Sequence, residues 1–135
     1  MKKYIQSTLD ISKNYMLAVA EAMPENLYNS KPVSEVYTFN ELINHVAYGI
    51  QWWEANYVKL KETKWDPPTA KATKKETIKD LQKCFQALEE TLSNVKLTDE
   101  SVKGFYSTLD HISHHRGQAT MHLRLNGITP PDYVF

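Results

Sequence analysis

The chain has 135 residues, the size of one compact domain, and at that length folding hides about two-thirds of the surface that the unfolded chain exposes. Sixteen Lys and Arg balance sixteen Asp and Glu, for a formal net charge of zero. That balance argues against a nucleic-acid partner, because phosphate binding needs a surplus of cationic side chains. Cys84 is the only cysteine, which excludes an internal disulfide and any thiolate cluster for zinc or iron–sulfur. No apolar run approaches the roughly 18 residues of a membrane span. The opening Met1-Lys2-Lys3-Tyr4-Ile5-Gln6 turns polar too soon for a signal peptide, so the expectation is a cytoplasmic protein that does not contact membranes.

Proline and glycine divide the chain, taken as a single domain over 1–135, into four stretches with no proline inside any of them. That pattern suits helices, because an interior proline removes a hydrogen bond and clashes with the preceding turn. The first stretch, about Tyr4 to Met23, sets Ile5, Leu9, Ser12, Met16 and Val19 along one stripe. Pro24 and Pro32 mark the gap after it. The second opens on Thr38-Phe39-Asn40-Glu41, a capping box in which Thr38 and Glu41 each satisfy a free backbone N–H of the other. Leu42, His45, Val46, Gly49, Trp53 and Leu60 then follow the helical period.

A linker of twelve residues, Lys61 to Ala72, carries Trp65, Pro67 and Pro68. Extended at about 3.3 Å per residue, it can run the roughly 30 Å length of a 20-residue helix, which allows a crossover between the second and third helices. The third stretch opens on a second box, Thr73-Lys74-Lys75-Glu76, and continues with Ile78, Leu81, Phe85, Leu88, Leu92 and Val95. Gly104 reads as the third boundary, and the fourth helix is expected from about Phe105 to Asn126, stopped by Gly127. The fold class is therefore all-α, a four-helix bundle with a long crossover between helices 2 and 3.

Four of the five histidines, His111, His114, His115 and His122, fall on the last helix, and the fifth is His45. At about 100° per residue, His111, His115, Gln118 and His122 lie within an arc of roughly 60°. His111 and His115 form an i, i+4 pair one turn apart, able to bind one ion together. His122 stands about 10.5 Å farther along the axis, too far to join that coordination sphere. His45 occupies a core-facing slot on the second helix, and Gly49, one turn on, leaves room beside it for a ligand or a tight helix contact. A lone core histidine is more often a hydrogen-bonded packing residue than a ligand. Three imidazoles on inward faces of two helices make the metal reading the better one. The predicted metal set is therefore His45, His111 and His115, an arrangement of neutral ligands that leaves a coordination position open. The cofactor is expected to be a divalent metal ion, zinc or nickel first, with iron, manganese and copper as further candidates.

Several motifs resemble those of the DinB/YfiT-like metalloenzymes. Leu109-Asp110-His111-Ile112-Ser113-His114-His115-Arg116-Gly117-Gln118, followed by Leu123-Arg124-Leu125-Asn126-Gly127 and Pro130-Pro131, is similar to the last helix of that family. Its signature is a histidine, three residues, then His-Arg-Gly-Gln. Leu42-Ile43-Asn44-His45-Val46-Ala47 resembles the second-helix motif, and Ala22-Met23-Pro24-Glu25-Asn26-Leu27-Tyr28 resembles the end of the first helix. The resemblance places the family's three ligands on His45, His111 and His115. It also implies a bundle with a long crossover, a divalent metal, a homodimer, and chemistry like that of thiol-dependent transferases and isomerases. His114, beside His115, is an extra imidazole.

Gln118 can hold a metal-bound water or a neighbouring histidine, and Glu41 can orient His45, although capping already accounts for Glu41. Arg116 points away from the ligand stripe and suits a salt bridge or a dimer contact. Tyr48, Trp52, Trp53 and Tyr57 form an aromatic band suited to packing, a dimer interface or a pocket wall. Cys84 reads as a small apolar residue. Two functions remain open. One is a metal-dependent hydrolase or thiol S-transferase acting on a small-molecule substrate, with a low-molecular-weight thiol as a candidate. The other is a non-catalytic metal-binding bundle in which the ion supports the fold.

Overall fold

The computed structural model describes residues 1–133. The described residues form four α-helices, α1 (Lys2–Ala22), α2 (Phe39–Trp53), α3 (Lys74–Asn94) and α4 (Asp99–Leu125), and no strand. A short 3₁₀ turn (Glu25–Leu27) follows α1, and one π-helical segment (Glu54–Val58) extends α2. The stripes read from the sequence form the core. Ile5, Leu9, Met16 and Val19 of α1 pack with Leu42, Val46 and Ile50 of α2, and with Leu81, Phe85 and Leu88 of α3. Phe105, Ile112 and Leu123 of α4 complete it.

Both expected capping boxes form. Thr38 accepts from the Glu41 N–H while the Glu41 carboxylate accepts from the Thr38 N–H, and Thr73 and Glu76 repeat the arrangement. These two boxes fix where α2 and α3 begin, and so fix the register of His45 along α2.

Between them, the linker runs back along α2. Trp52 Nε1 donates to the Thr63 carbonyl, Tyr48 Oη accepts from the Asp66 N–H, and Asn44 Oδ1 accepts from the Lys71 N–H. The contacts step from the end of α2 to its beginning. There Thr77 of α3 donates to Asn40 Oδ1, and farther along Gln51 donates to Cys84 Sγ. The two helices thus run in the same direction with the linker strapped across them. Trp65 is the centre of the strap: its ring lies 4.8 Å from Tyr48 and 5.4 Å from Trp52, so the aromatic band packs against the linker.

Two sequence expectations need correction. Helix α4 begins at Asp99, not near Phe105, capped by Thr98 and Ser101. Gly104 lies inside it. A Cβ at that position would stand 2.3 Å from the Tyr57 carbonyl oxygen, so Gly104 marks a close backbone approach and not a boundary. Leu60, read as part of the α2 stripe, lies beyond the helix in the left-handed region at φ 54° and is exposed. The buried helix end is instead held by Glu54, which accepts from the Thr91 hydroxyl and pairs with Lys59 at 2.8 Å.

Candidate metal centre

Helices α2 and α4 bring His45, His111 and His115 together. One ligand atom from each lies within 4.8 Å of the other two. His45 Nε2 is 2.9 Å from His115 Nε2 and 3.3 Å from His111 Nε2. A tetrahedral ion with bonds of about 2.0–2.1 Å separates its nitrogens by about 3.3 Å, so the spacing suits a single cation.

The hydrogen-bond chemistry points the same way. His115 Nδ1 faces Gln118 Oε1 at 2.8 Å. An amide oxygen only accepts, so Nδ1 carries the proton and Nε2 is left with a lone pair. His45 Nε2 faces two nitrogens at once but can carry at most one proton. Three inward lone pairs around a cation resolve all of these contacts together. The one incomplete element is His111 Nδ1, buried with no hydrogen-bond partner among the described residues.

Each ring is held from outside. A Cβ at Gly49 would lie 2.3 Å from His111 Cε1, so the space beside Gly49 is filled by the His111 ring. Trp53 lies 5.9 Å from that ring on the same side. Tyr37 and Trp65 flank His45 at 5.3 and 5.4 Å. Burial, reinforced by His115, lowers the pKa of both His45 and His111 to about 4. Burial also lowers that of His115, against the opposing pull of Gln118. All three therefore favour the neutral form that coordinates metal.

The remaining candidates divide clearly. Gln118 touches His115, whereas Glu41 is engaged in the Thr38 cap and lines the cavities on both sides of the cluster. His114 is exposed, with its ring edge-on to His115, and stays outside the cluster. His122 also lies outside it and packs against Phe39. Arg116 is buried with its guanidinium over the rings of Tyr15 and Tyr133. Burial pushes the Cys84 thiol up to about 12, which leaves it unreactive.

Sequence reasoning missed Tyr37 and the 31–37 loop beside the cluster. That loop has no periodicity to read. Trp65 did carry a signal, as the one tryptophan in a polar, proline-bearing linker.

A cavity of about 750 Å³ opens beside His115 and Gln118, between the 31–37 loop and α4. A second of about 360 Å³ lies beside His45, under Pro67 and Pro68 of the strap.

Bundle and cluster together define an all-α protein with a three-imidazole centre between its second and fourth helices. The chain belongs to the DinB family, whose pattern it matches over residues 3–134. Its fold is similar to that of a DinB-like protein from Bacillus cereus ATCC 10987, with a TM-score of 0.81 at 17% identity, covering 97% of this chain and 95% of that one. It is also similar to a DinB-like protein from Bacillus subtilis, with a TM-score of 0.70 at 20% identity and coverages of 96% and 97%. No curated protein matches the chain. No helix among the described residues is long and apolar enough to cross a membrane.

Proposed function

We propose that the chain is a divalent-metal protein whose three-histidine centre activates a water molecule or a small thiol, for hydrolysis or for thiol transfer to a small organic substrate. The observation that carries this reading is the convergence of three Nε2 atoms, two on α4 and one on α2, beside a cavity large enough for a substrate. A divalent ion held there would bring the pKa of a coordinated water or thiol toward neutrality. The chain's own contribution is orientation. Gln118 sets the tautomer of His115, Gly49 makes space for His111, and Tyr37 and Trp65 hold the plane of His45. Zinc and nickel suit a set of three imidazoles without a carboxylate or thiolate.

Solvent access favours catalysis over a closed structural site, because His115 and His45 each line a cavity. Cobalt(II) substitution tests this directly. Addition of β-mercaptoethanol to the cobalt protein should produce a sulfur-to-cobalt charge-transfer band and shift the visible spectrum. A spectrum unmoved by thiol or by azide would mark a closed, structural centre.

A further inference from the structure

The larger cavity holds a histidine that the metal cluster does not use. His122 lines it, yet the residue is only 6% exposed, and its Nδ1 is buried with no hydrogen-bond partner among the described residues. A buried acceptor without a partner is tolerated better than a buried N–H without one. The favoured tautomer therefore leaves Nδ1 bare and puts the proton on Nε2, the nitrogen left for the cavity. Burial also lowers the pKa of this imidazole, so the ring is neutral near pH 7 and offers a single N–H.

The rest of the lining is mixed: Lys31, Ser34, Glu35, Glu41 and Gln118 supply polar groups, and a separate part of the wall is apolar. Val36 from the loop, Leu42 from α2, and Met121 and Leu125 from α4 line the same space, and Val36, Met121 and Leu125 are 40%, 54% and 60% exposed. A volume of about 750 Å³ whose wall is more apolar than polar lies within the size range of small-molecule sites. One end of this site is His115, a member of the cluster. The other is His122, two turns on and about 10.5 Å along the helix axis.

We propose that this cavity receives an organic substrate whose apolar body lies against Leu42, Met121 and Leu125, and whose oxygen acceptor, a carbonyl, ether or hydroxyl, takes the Nε2–H of His122 while the other end reaches the three-histidine centre. This deepens the proposed function and rests on it only at the metal end. The occupant is a small molecule and not a second copy of the chain, because the polar group belongs to a lining side chain that is only 6% exposed, which a flat protein surface does not reach.

The test has a metal-free arm and a metal-loaded arm. In the first, 1-octanol is titrated into chelator-treated, ¹⁵N-labelled protein. Resonances of residues 34–37 and 118–125 and the ring nitrogens of His122 should move saturably, and Val36→Trp, on an exposed loop position, should abolish the response. His122→Leu should weaken 1-octanol but leave octane-like probes bound. Shifts absent from this region, or insensitive to Val36→Trp, would overturn the proposal. So would the same resonances moving with protein concentration alone, which would make the face an interface between copies. In the second arm, zinc-loaded protein is titrated with acetohydroxamate and octanohydroxamate. The longer chain should bind about tenfold tighter or more, as burial of even two methylenes implies. Equal affinities would overturn the cavity proposal and leave the metal centre standing. Failure of both hydroxamates with a normal 1-octanol response would instead overturn the metal reading and leave the cavity.

Discussion

Gly49 and His111 share one volume: the methyl that any other residue would place at position 49 falls 2.3 Å from Cε1 and 2.8 Å from Nδ1 of the imidazole. The interior glycine of α2 therefore makes way for a ring on α4, and its cost to the helix, about 1 kcal/mol against alanine, is offset by the placement of that ring.

Gly49→Ala follows as the first prediction. The added methyl stiffens α2 but drives the His111 ring off its position, since an imidazole joined to the backbone through a single methylene cannot yield as a long flexible chain does. Metal affinity should fall about tenfold or more, in the range seen when the support of a ligand is lost. Helicity by circular dichroism should remain native. Competition with a chromophoric chelator measures the affinity, and an unchanged value would mean that His111 does not bind metal.

The contact between Gln118 and His115 gives the second. Gln118→Leu removes the acceptor that holds the proton on Nδ1, so the ring loses its bias toward presenting an Nε2 lone pair. Affinity should drop about 10- to 100-fold. Gln118→Glu, which keeps an acceptor at that position, should restore most of it. Gln118 is exposed, so thermal stability of the metal-free forms should barely change.

Protonation supplies the third. In the unfolded chain His45 and His111 titrate near 6.5, and in the folded chain near 4. Above about pH 6.5 both states are neutral at these groups and the full stability is present. As pH falls from there toward 4, the unfolded state takes up protons that the folded state refuses, so stability declines. Bound metal should be released over the same window, because protonated imidazole cannot coordinate. Urea denaturation of chelator-treated protein at several pH values checks the slope. His45→Gln, which has no proton to gain, should flatten it.

The fold and the cluster were legible in the sequence to different depths. The stripes on α1 and α3, the two Thr-x-x-Glu boxes and the i, i+4 pair His111 and His115 are local signals, and each survives in the structure because helix geometry alone dictates it. His45 was legible as an anomaly, an imidazole in an apolar slot. Gly104 misled because glycine serves two purposes, ending helices and admitting close neighbours, and only the tertiary approach of Tyr57 distinguishes them. The start of α4 was missed for a related reason: its box places Ser101 where the usual pattern has Glu or Gln. The 31–37 loop carries Tyr37 to His45 and walls the larger cavity, yet without a repeating pattern nothing in the sequence placed it there.

Gly104→Ala provides the fourth prediction and a control. Its methyl would meet the Tyr57 carbonyl at 2.3 Å, a backbone atom that cannot turn aside. Overpacking should outweigh the gain in helix propensity, for a net loss of about 1–2 kcal/mol in urea denaturation. Metal stoichiometry should be unchanged, because neither Gly104 nor Tyr57 belongs to the histidine cluster. The variant thereby separates general destabilisation from damage to the centre.

The most direct test is metal content. Elemental analysis of the purified protein beside His45→Ala, His111→Ala, His115→Ala and His122→Ala should find about one divalent ion per chain in the wild type and in His122→Ala, and loss of the ion in the other three. Retention of metal in any of those three, or its equal loss in His122→Ala, would contradict a centre built on residues 45, 111 and 115.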